Sequence, residues 1–151
     1  MAPMHFSTKG EYALRALVDL AAQTREGPVR AVEVADRQGI PLNYLEQLLG
    51  VLKRAGVVAS VRGPKGGFAL ARDPSDVTVE EVLVCMEGEV VPQECVGREC
   101  PEGAEKASVC AVRQVWAKVA AAISTALGGL TLKELADEQR ALEAASSMYH
   151  I

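Results

Sequence analysis

The order of short helical and extended segments between residues 31 and 71 constrains the fold of this chain more than any other feature. The sequence AVEVADRQ predicts a short amphipathic helix, and Gly39 after it readily adopts the left-handed backbone dihedrals that end a helix. Pro41 then suits the first position of a second helix, whose apolar residues recur at helical spacing up to Gly56. Two short helices joined by a tight, glycine-containing turn are typical of a helix-turn-helix.

Two β-prone runs follow the second helix, VVASV and GFALA, and they enclose the glycine-rich sequence RGPKG. A phosphate-cradling nucleotide loop is one interpretation, but it needs a lysine after its last glycine and then a helix. Here Lys65 precedes Gly66, and an extended run follows. A β-hairpin directly after a helix-turn-helix is instead the wing of a winged-helix domain.

Helical patterns flank this unit on both sides. Thr8 and Glu11 fit a capping box that opens a first helix, which we expect to reach about Thr24. Thr78 and Glu81 repeat the capping-box pattern and open a helix to about Glu87. The sequence therefore predicts helices before and after the winged-helix unit.

A long helix is predicted near the C-terminus, over about residues 107–127, followed by a short helix and a frayed tail. Its apolar residues alternate between spacings of three and four, which favours a two-stranded seam with a second copy. An amphipathic helix packed on its own domain is the alternative. The seam residues are Val109, Val112, Trp116, Val119, Ile123 and Ala126. The predicted fold is mainly α with a small β-hairpin wing: a winged helix-turn-helix plus a long C-terminal dimerisation helix.

The charge of the chain is divided unevenly. Residues 1–72 carry ten Lys and Arg against six Asp and Glu, whereas residues 73–151 carry six against fourteen. Between Lys53 and Arg72 there are five cations and no acid. A basic half joined to an acidic half is typical of a DNA-binding protein with a separate regulatory part, although an unevenly charged solvated surface is the alternative.

Three of the four cysteines lie near one irregular stretch. Cys95, Cys100 and Cys110 have the spacing C-x4-C-x9-C, and the prolines and glycines among them predict a loop. In a cytoplasmic chain such a group favours metal binding or redox chemistry over structural disulfides. Three thiolates plus one further ligand suit an iron–sulfur cluster or a zinc ion. Cys85 lies in a helical run and is interpreted as a small residue beside the core.

Several classes of protein are disfavoured. No apolar run approaches the roughly 20 residues that span a bilayer, and the N-terminus lacks the apolar core of a signal peptide. We therefore expect a cytoplasmic protein without a membrane partner. No nucleophile–base arrangement is visible, and the two histidines, His5 and His150, are expected to be exposed, so an enzyme is not predicted.

Three stretches that touch nearly the whole chain resemble the IscR/NsrR/RirA-type winged-helix transcription regulators. They are STKGEYALRALVDLA, the long run RQGIPLNYLEQLLGVLKRAGVVASVRGPKGGFAL, and CAVRQVWAKV with LTLKEL. Many members of this family sense through an iron–sulfur cluster. The resemblance implies a homodimer that binds a palindromic operator in double-stranded DNA. The candidate DNA-contacting residues are Asn43, Tyr44, Glu46, Gln47, Arg62, Gly63, Lys65 and Gly66.

The resemblance also implies a [2Fe–2S] or [4Fe–4S] cluster held by Cys95, Cys100 and Cys110. Some members use a histidine three residues after the last cysteine as the fourth ligand, but that position is Arg113 here. Others use an acidic residue from the first helix of the partner subunit, and Glu11 matches that position. The cysteine spacing differs from that of typical members, so the cluster type stays open.

The implied function is a transcriptional regulator whose operator binding follows redox, nitric oxide or iron status through the cluster. The alternative is a cluster-free regulator switched by cysteine oxidation, zinc or a partner protein. The implied domain organisation has three parts. They are a winged-helix DNA-binding domain at 1–75, a linking helix with a cysteine-rich sensor loop at 76–106, and a dimerisation helix with its tail at 107–151.

Overall fold

A computed structural model of the chain describes residues 7–23, 26–88 and 111–150. The helices are α1 (Thr8–Ala22), α2 (Ala31–Gln38), α3 (Leu42–Arg54), α4 (Val79–Glu87), α5 (Ala111–Gly128) and α6 (Leu132–Met148). The strands are β1 (Val58–Val61) and β2 (Gly67–Leu70), and a 3-10 turn covers Pro74–Asp76. The predicted mainly helical fold with a β-hairpin wing is confirmed.

The turn between α2 and α3 forms as the sequence predicts, with one difference. Gly39 has a φ of 63°, in the left-handed region, and ends α2. Pro41 is the residue just before α3 rather than its first helical residue, as its extended ψ of 128° shows. Its carbonyl accepts the first helical hydrogen bond from Leu45 N, at 2.9 Å. The proline thus sets the direction in which α3 starts.

The wing is attached to the body by a third extended segment. β1 and β2 pair antiparallel, with Val61 opposite Gly67. Val29 joins the outer side of β2 through two hydrogen bonds with Phe68, of 2.7 and 2.8 Å. A Cβ on Gly67 would lie 2.3 Å from the Val29 carbonyl oxygen, so this close approach requires glycine. The hairpin is therefore fixed to the connection between α1 and α2.

One apolar core joins α1, α2, α3, β1 and α4 with the start of α6. Its fully buried side chains are Leu17, Leu45, Leu49, Leu52, Leu132, Val34, Val57, Val58, Val77 and Val82. Burial of one such side chain is worth about 1.5–3 kcal/mol. The helix α1 lies at the centre, packed against α2, α3, α4 and α6. The helix α1 therefore supports both the helix-turn-helix of α2 and α3 and the C-terminal helix α6.

The start of α1 differs from the predicted capping box. Ser7 is the N-cap residue and makes no side-chain cap, so the pairing of Thr8 with Glu11 is wrong. The backbone N–H and the hydroxyl of Ser7 both donate to Glu87 at the end of α4, the first at 2.6 Å. A tertiary contact thus replaces the local cap. The helix ends at Ala22, slightly before the predicted end.

The C-terminal region is more helical than predicted. After α5, which ends at Gly128, the helix α6 runs for 17 residues, so the expected short helix and frayed tail are wrong. Thr131 and Glu134 form a complete capping box that the sequence interpretation overlooked. Within the described ranges, no helix is long and apolar enough to cross a membrane. Residues 107–110 of the predicted long helix lie outside the described residues.

The starts of α4 and α6 lie side by side. Thr78 and Thr131 pair in an isolated β-bridge, with Val79 N donating to the Leu130 carbonyl at 2.9 Å. Each threonine also caps its own helix, because the Thr78 hydroxyl accepts from Glu81 N and the Thr131 hydroxyl accepts from Glu134 N. This junction directs α6 back onto α1.

Candidate nucleic-acid interface

The helix α3 presents one apolar face and one polar face. Its buried side chains are Leu45, Leu48, Leu49 and Leu52. Asn43, Glu46 and Gln47 are exposed, and their spacing of three and four places them on a common face in its first half. Amide and carboxylate groups of this kind can hydrogen-bond the edges of bases in a major groove.

Tyr44 differs from its neighbours because α1 holds it. Its ring is half-buried and meets Tyr12 edge to face, with ring centroids 5.9 Å apart and planes at 72°. The Arg15 guanidinium lies 5.7 Å from the centroid of the Tyr12 ring, within the range of a cation–π contact. Tyr12 therefore supports Tyr44 at the start of α3, and Arg15 packs in turn on Tyr12.

A buried carboxylate fixes α2 to α1. Asp19 is 5% exposed and accepts two hydrogen bonds from the Arg37 guanidinium, at 2.6 and 3.0 Å. Gln38 donates a third, at 2.9 Å, and Arg15 donates to the Gln38 carbonyl at 2.6 Å. The hydrogen bond to Asp19 raises the pKa of Arg37. The sequence interpretation missed this clamp, for which the signal was an acidic residue between apolar positions of α1.

The wing tip is a tight turn that only glycine permits. Gly63 has a φ of 112°, and its carbonyl accepts from Gly66 N at 2.9 Å. A Cβ on Gly66 would lie 2.2 Å from the Val61 carbonyl oxygen. Arg62 and Lys65 are exposed on this tip, which places two cations where the backbone can approach a ligand closely.

One of the five cations in the basic stretch, Arg72, is engaged within the protein and is not available to bind a ligand. Arg72 forms an ion pair with Glu81 of α4 and donates to the Asp76 carbonyl at 2.7 Å. It therefore stabilises the connection to α4. The remaining four cations, Lys53, Arg54, Arg62 and Lys65, are all exposed.

The predicted metal ligands are only partly described. Glu11 lies in the first turn of α1, with its side chain 64% exposed and one oxygen 3.8 Å from Arg15 Nη1. Cys95, Cys100 and Cys110 lie outside the described residues. Among residues 7–23, 26–88 and 111–150, no three His, Cys, Asp or Glu side chains form a group that could hold a metal ion.

The other cysteine and the histidines fit their predicted roles where they are described. Cys85 is half-buried in α4 and packs against the core. Burial raises the pKa of its thiol, and the nearby Glu81 carboxylate adds to the effect. His150 is exposed, whereas His5 lies outside the described residues. Cys85 is thus a protonated core-side residue near neutral pH.

A helix-turn-helix with an exposed polar face, followed by a glycine-tipped cationic hairpin, defines a winged-helix DNA-binding protein. The model of the Rrf2 family, described as iron-dependent transcriptional regulators, matches residues 6–138. The chain belongs to the Rrf2 family. It is a DNA-binding transcriptional regulator, and the family predicted from the sequence is confirmed.

Two IscR relatives are similar to this chain over most of its length. The HTH-type transcriptional regulator IscR of Yersinia enterocolitica is 39% identical over 142 residues, which cover 94% of this chain and 85% of the relative. The IscR of Photorhabdus laumondii is 38% identical with the same coverage. These relatives are regulators rather than enzymes, in agreement with the sequence prediction.

Solved structures give the same fold. CymR, the global cysteine regulator of B. subtilis, superposes with a TM-score of 0.74 at 33% identity, covering 89% of this chain and 97% of CymR. IscR of T. potens superposes with a TM-score of 0.69 at 38% identity, covering 91% of this chain and 90% of that one. The chain is therefore similar both to IscR and to a cysteine regulator.

Proposed function

We propose that this regulator acts as a homodimer whose binding to a palindromic operator is controlled by an iron–sulfur cluster. The observation that carries the proposal is the position of Glu11. Its exposed carboxylate is one residue from Tyr12, which contacts Tyr44 at the start of α3. A cluster bound by Glu11 would therefore lie close to the start of α3.

The donor set fits such a cluster. Cys95, Cys100 and Cys110 offer three soft thiolates, and iron–sulfur clusters are bound mainly by cysteine thiolates. Glu11 offers a carboxylate whose contact with Arg15 is long and exposed, so little energy opposes its use as a fourth ligand. Either a [2Fe–2S] or a [4Fe–4S] cluster is compatible with these residues. When bound, the cluster supplies a centre that oxidants, nitric oxide or iron scarcity can destroy.

An exposed apolar face on α5 supports the dimer. None of the described residues of α5 is buried, and Val112 and Val115 are 61% and 54% exposed. The seam residues Trp116, Val119 and Ile123 are half-buried on the same helix. Apolar surface of this kind favours association, and a second copy would also supply the second half-site contact of a palindromic operator.

We assign the DNA contacts as follows. Asn43 and Gln47 would pair with adenine, and Glu46 would accept a hydrogen bond from the amino group of cytosine. Tyr44 and Lys65 would contact phosphates, and Arg62 would enter a narrow minor groove, while Gly63 and Gly66 let the wing backbone approach the DNA. Because phosphate contacts dominate affinity, binding should weaken steeply with salt. Such a regulator would work in the cytoplasm, where the DNA is.

The contacts of Arg15 suggest how the state of Glu11 would reach the DNA. Arg15 contacts the Glu11 carboxylate, the Tyr12 ring and the Gln38 carbonyl at the helix-turn-helix turn. Arg15 thus links the surroundings of Glu11 to the start of α3 through Tyr12 and to the end of α2 through Gln38. A group bound at Glu11 would lie beside both connections.

The test is the absorption spectrum of protein purified without oxygen, with iron and sulfide assayed on the same sample. A cluster is expected to give thiolate-to-iron bands in the visible range and matching iron and sulfide contents. Single changes of Cys95, Cys100, Cys110 and Glu11 to Ala should then reduce the iron content. A colourless protein that takes up neither iron nor sulfide on reconstitution would overturn the cluster.

A second candidate function is a cluster-free thiol, zinc or partner-protein switch. It is favoured by the similarity to CymR, of which an oxidized form from Staphylococcus aureus superposes with a TM-score of 0.67 at 33% identity. This function predicts a colourless protein. Its DNA affinity would follow disulfide formation, bound zinc or an added partner, and zinc analysis with thiol counting separates these cases.

A further inference from the structure

Arg30 occupies a position that the basic stretch of the wing does not include. It directly follows Val29, whose N–H and carbonyl bond Phe68 of β2 at 2.8 and 2.7 Å. Val29 is 3% exposed, whereas Arg30 is exposed. The close approach at Gly67 holds this pairing in place. The backbone that carries the exposed Arg30 side chain is therefore anchored at the edge of the wing sheet.

The residue type is unfavourable for its local role. Arg30 is the N-cap residue of α2 and makes no side-chain cap, although Ser, Thr, Asp or Asn would accept hydrogen bonds there. A cation is also disfavoured at the positive end of a helix macrodipole. A sequence that breaks a local rule without a structural gain commonly does so at a functional position.

We propose that Arg30 binds a backbone phosphate of the DNA and extends the interface from the wing onto the start of α2. In a helix-turn-helix the first helix crosses the DNA backbone while the second enters the major groove, so the start of α2 lies where a phosphate contact is made. The inference rests on the DNA-binding function. Arg72 is paired with Glu81 of α4, whereas Arg30 would add a cation to those of the wing.

Two variants separate this role from a structural one. Arg30→Ser supplies a good N-cap and is expected to raise the melting temperature while lowering DNA affinity by about fivefold or more. Arg30→Gln removes the charge without adding a cap and should lower affinity similarly. Lys118→Gln, at an exposed position on α5, is the matched control with the same loss of charge.

Affinity is measured against KCl concentration on two probes of equal length. One is a duplex selected from a random pool by the wild-type protein, and the other is a random-sequence duplex. Loss of one phosphate contact lowers the slope of log affinity against log salt by about 0.9, and affinity should fall equally on both probes. Lys118→Gln should match the wild type.

The outcomes distinguish this inference from the function on which it rests. Arg30 variants with wild-type affinity and slope would overturn the phosphate contact alone. A loss confined to the selected duplex would also overturn it, because it would indicate base readout rather than phosphate binding. A wild-type protein that binds neither duplex would instead overturn DNA binding itself.

Discussion

Tyr12 of α1 and Tyr44 of α3 meet edge to face, with ring centroids 5.9 Å apart. This contact joins the helix that carries the candidate ligand Glu11 to the helix that carries the candidate base contacts. The Arg15 guanidinium lies over the Tyr12 ring and bonds the last residue of α2. Tyr12 and Arg15 of α1 therefore support the helix-turn-helix, and both lie near Glu11 in sequence.

The first prediction concerns this aromatic pair. Tyr12→Leu keeps an apolar side chain but removes the ring that Tyr44 contacts, and operator affinity should fall because the start of α3 loses its support. The coupling energy from a double-mutant cycle with Tyr44→Leu is expected to be about 0.5–1.5 kcal/mol in chemical denaturation. Additive effects of the two changes would contradict the contact.

The second prediction concerns the buried carboxylate. Asp19→Asn leaves Arg37 with a neutral partner and should lower the free energy of unfolding by about 2 kcal/mol. This is less than the roughly 3–5 kcal/mol for a fully buried pair, because the Arg37 side chain is 39% exposed. Urea denaturation at neutral pH measures the change.

The matched control for Asp19 is Asp137 on α6. Asp137 bonds two cations, Lys133 and Arg140, but its side chain is 50% exposed. Solvent screens such pairs, so Asp137→Asn should leave the unfolding transition almost unchanged. Equal losses in the two variants would show that burial of Asp19 does not determine the strength of its contacts.

Local sequence patterns predict helix ends correctly where interactions within the same helix determine them. Gly39 ends α2 and the Thr78 hydroxyl caps α4 as predicted, because each acts through its own backbone or that of the next turn. Only this half of the predicted capping box forms, since the Glu81 carboxylate pairs with Arg72 instead. The prediction for the start of α1 is wrong because a distant residue determines that helix end. Ser7 bonds Glu87, 80 residues away in sequence, and no local pattern encodes that partner.

In the candidate site, too, the sequence predicts the locally determined features but not the contacts between distant elements. Asn43, Glu46 and Gln47 are exposed on one face, as helical spacing requires once the leucines are buried. Spacing alone did not show that α1 covers Tyr44 or that α4 engages Arg72, because both contacts depend on how distant helices pack. The cysteine ligand set remains a prediction from the sequence.

The third prediction concerns the thiol of Cys85. Because burial raises its pKa, less thiolate is present near neutral pH than in an exposed cysteine, and alkylation should be slow. A variant with Cys95, Cys100 and Cys110 changed to Ser leaves Cys85 as the only thiol. Its iodoacetamide rate should rise with pH through a midpoint above that of a cysteine peptide.

The control for Cys85 is the same variant in urea, where unfolding exposes the thiol and should restore the rate and midpoint of the peptide. A midpoint below that of the peptide in the folded protein would instead identify Cys85 as a reactive thiol. It would then have to be considered as a participant in any redox switch.

The last prediction compares two glycines. Gly66→Ala places a Cβ 2.2 Å from the Val61 carbonyl oxygen, so the wing tip must distort. We expect a loss of about 1–3 kcal/mol in unfolding free energy, together with weaker DNA binding. Gly50→Ala is the control, since its Cβ would meet only Arg54 Nη1, at 3.7 Å, inside α3.

Gly50→Ala should raise the unfolding free energy by about 0.5–1 kcal/mol, because alanine costs less conformational entropy in a helix than glycine. Chemical denaturation of both variants, with fluorescence anisotropy on a labelled duplex, measures both effects. If Gly66→Ala kept wild-type stability and affinity, the tight turn at the wing tip would not be required for DNA binding. Changes of opposite sign in the unfolding free energies of the two variants would show that the strain is specific to the wing tip. They would exclude a general destabilisation by added methyl groups.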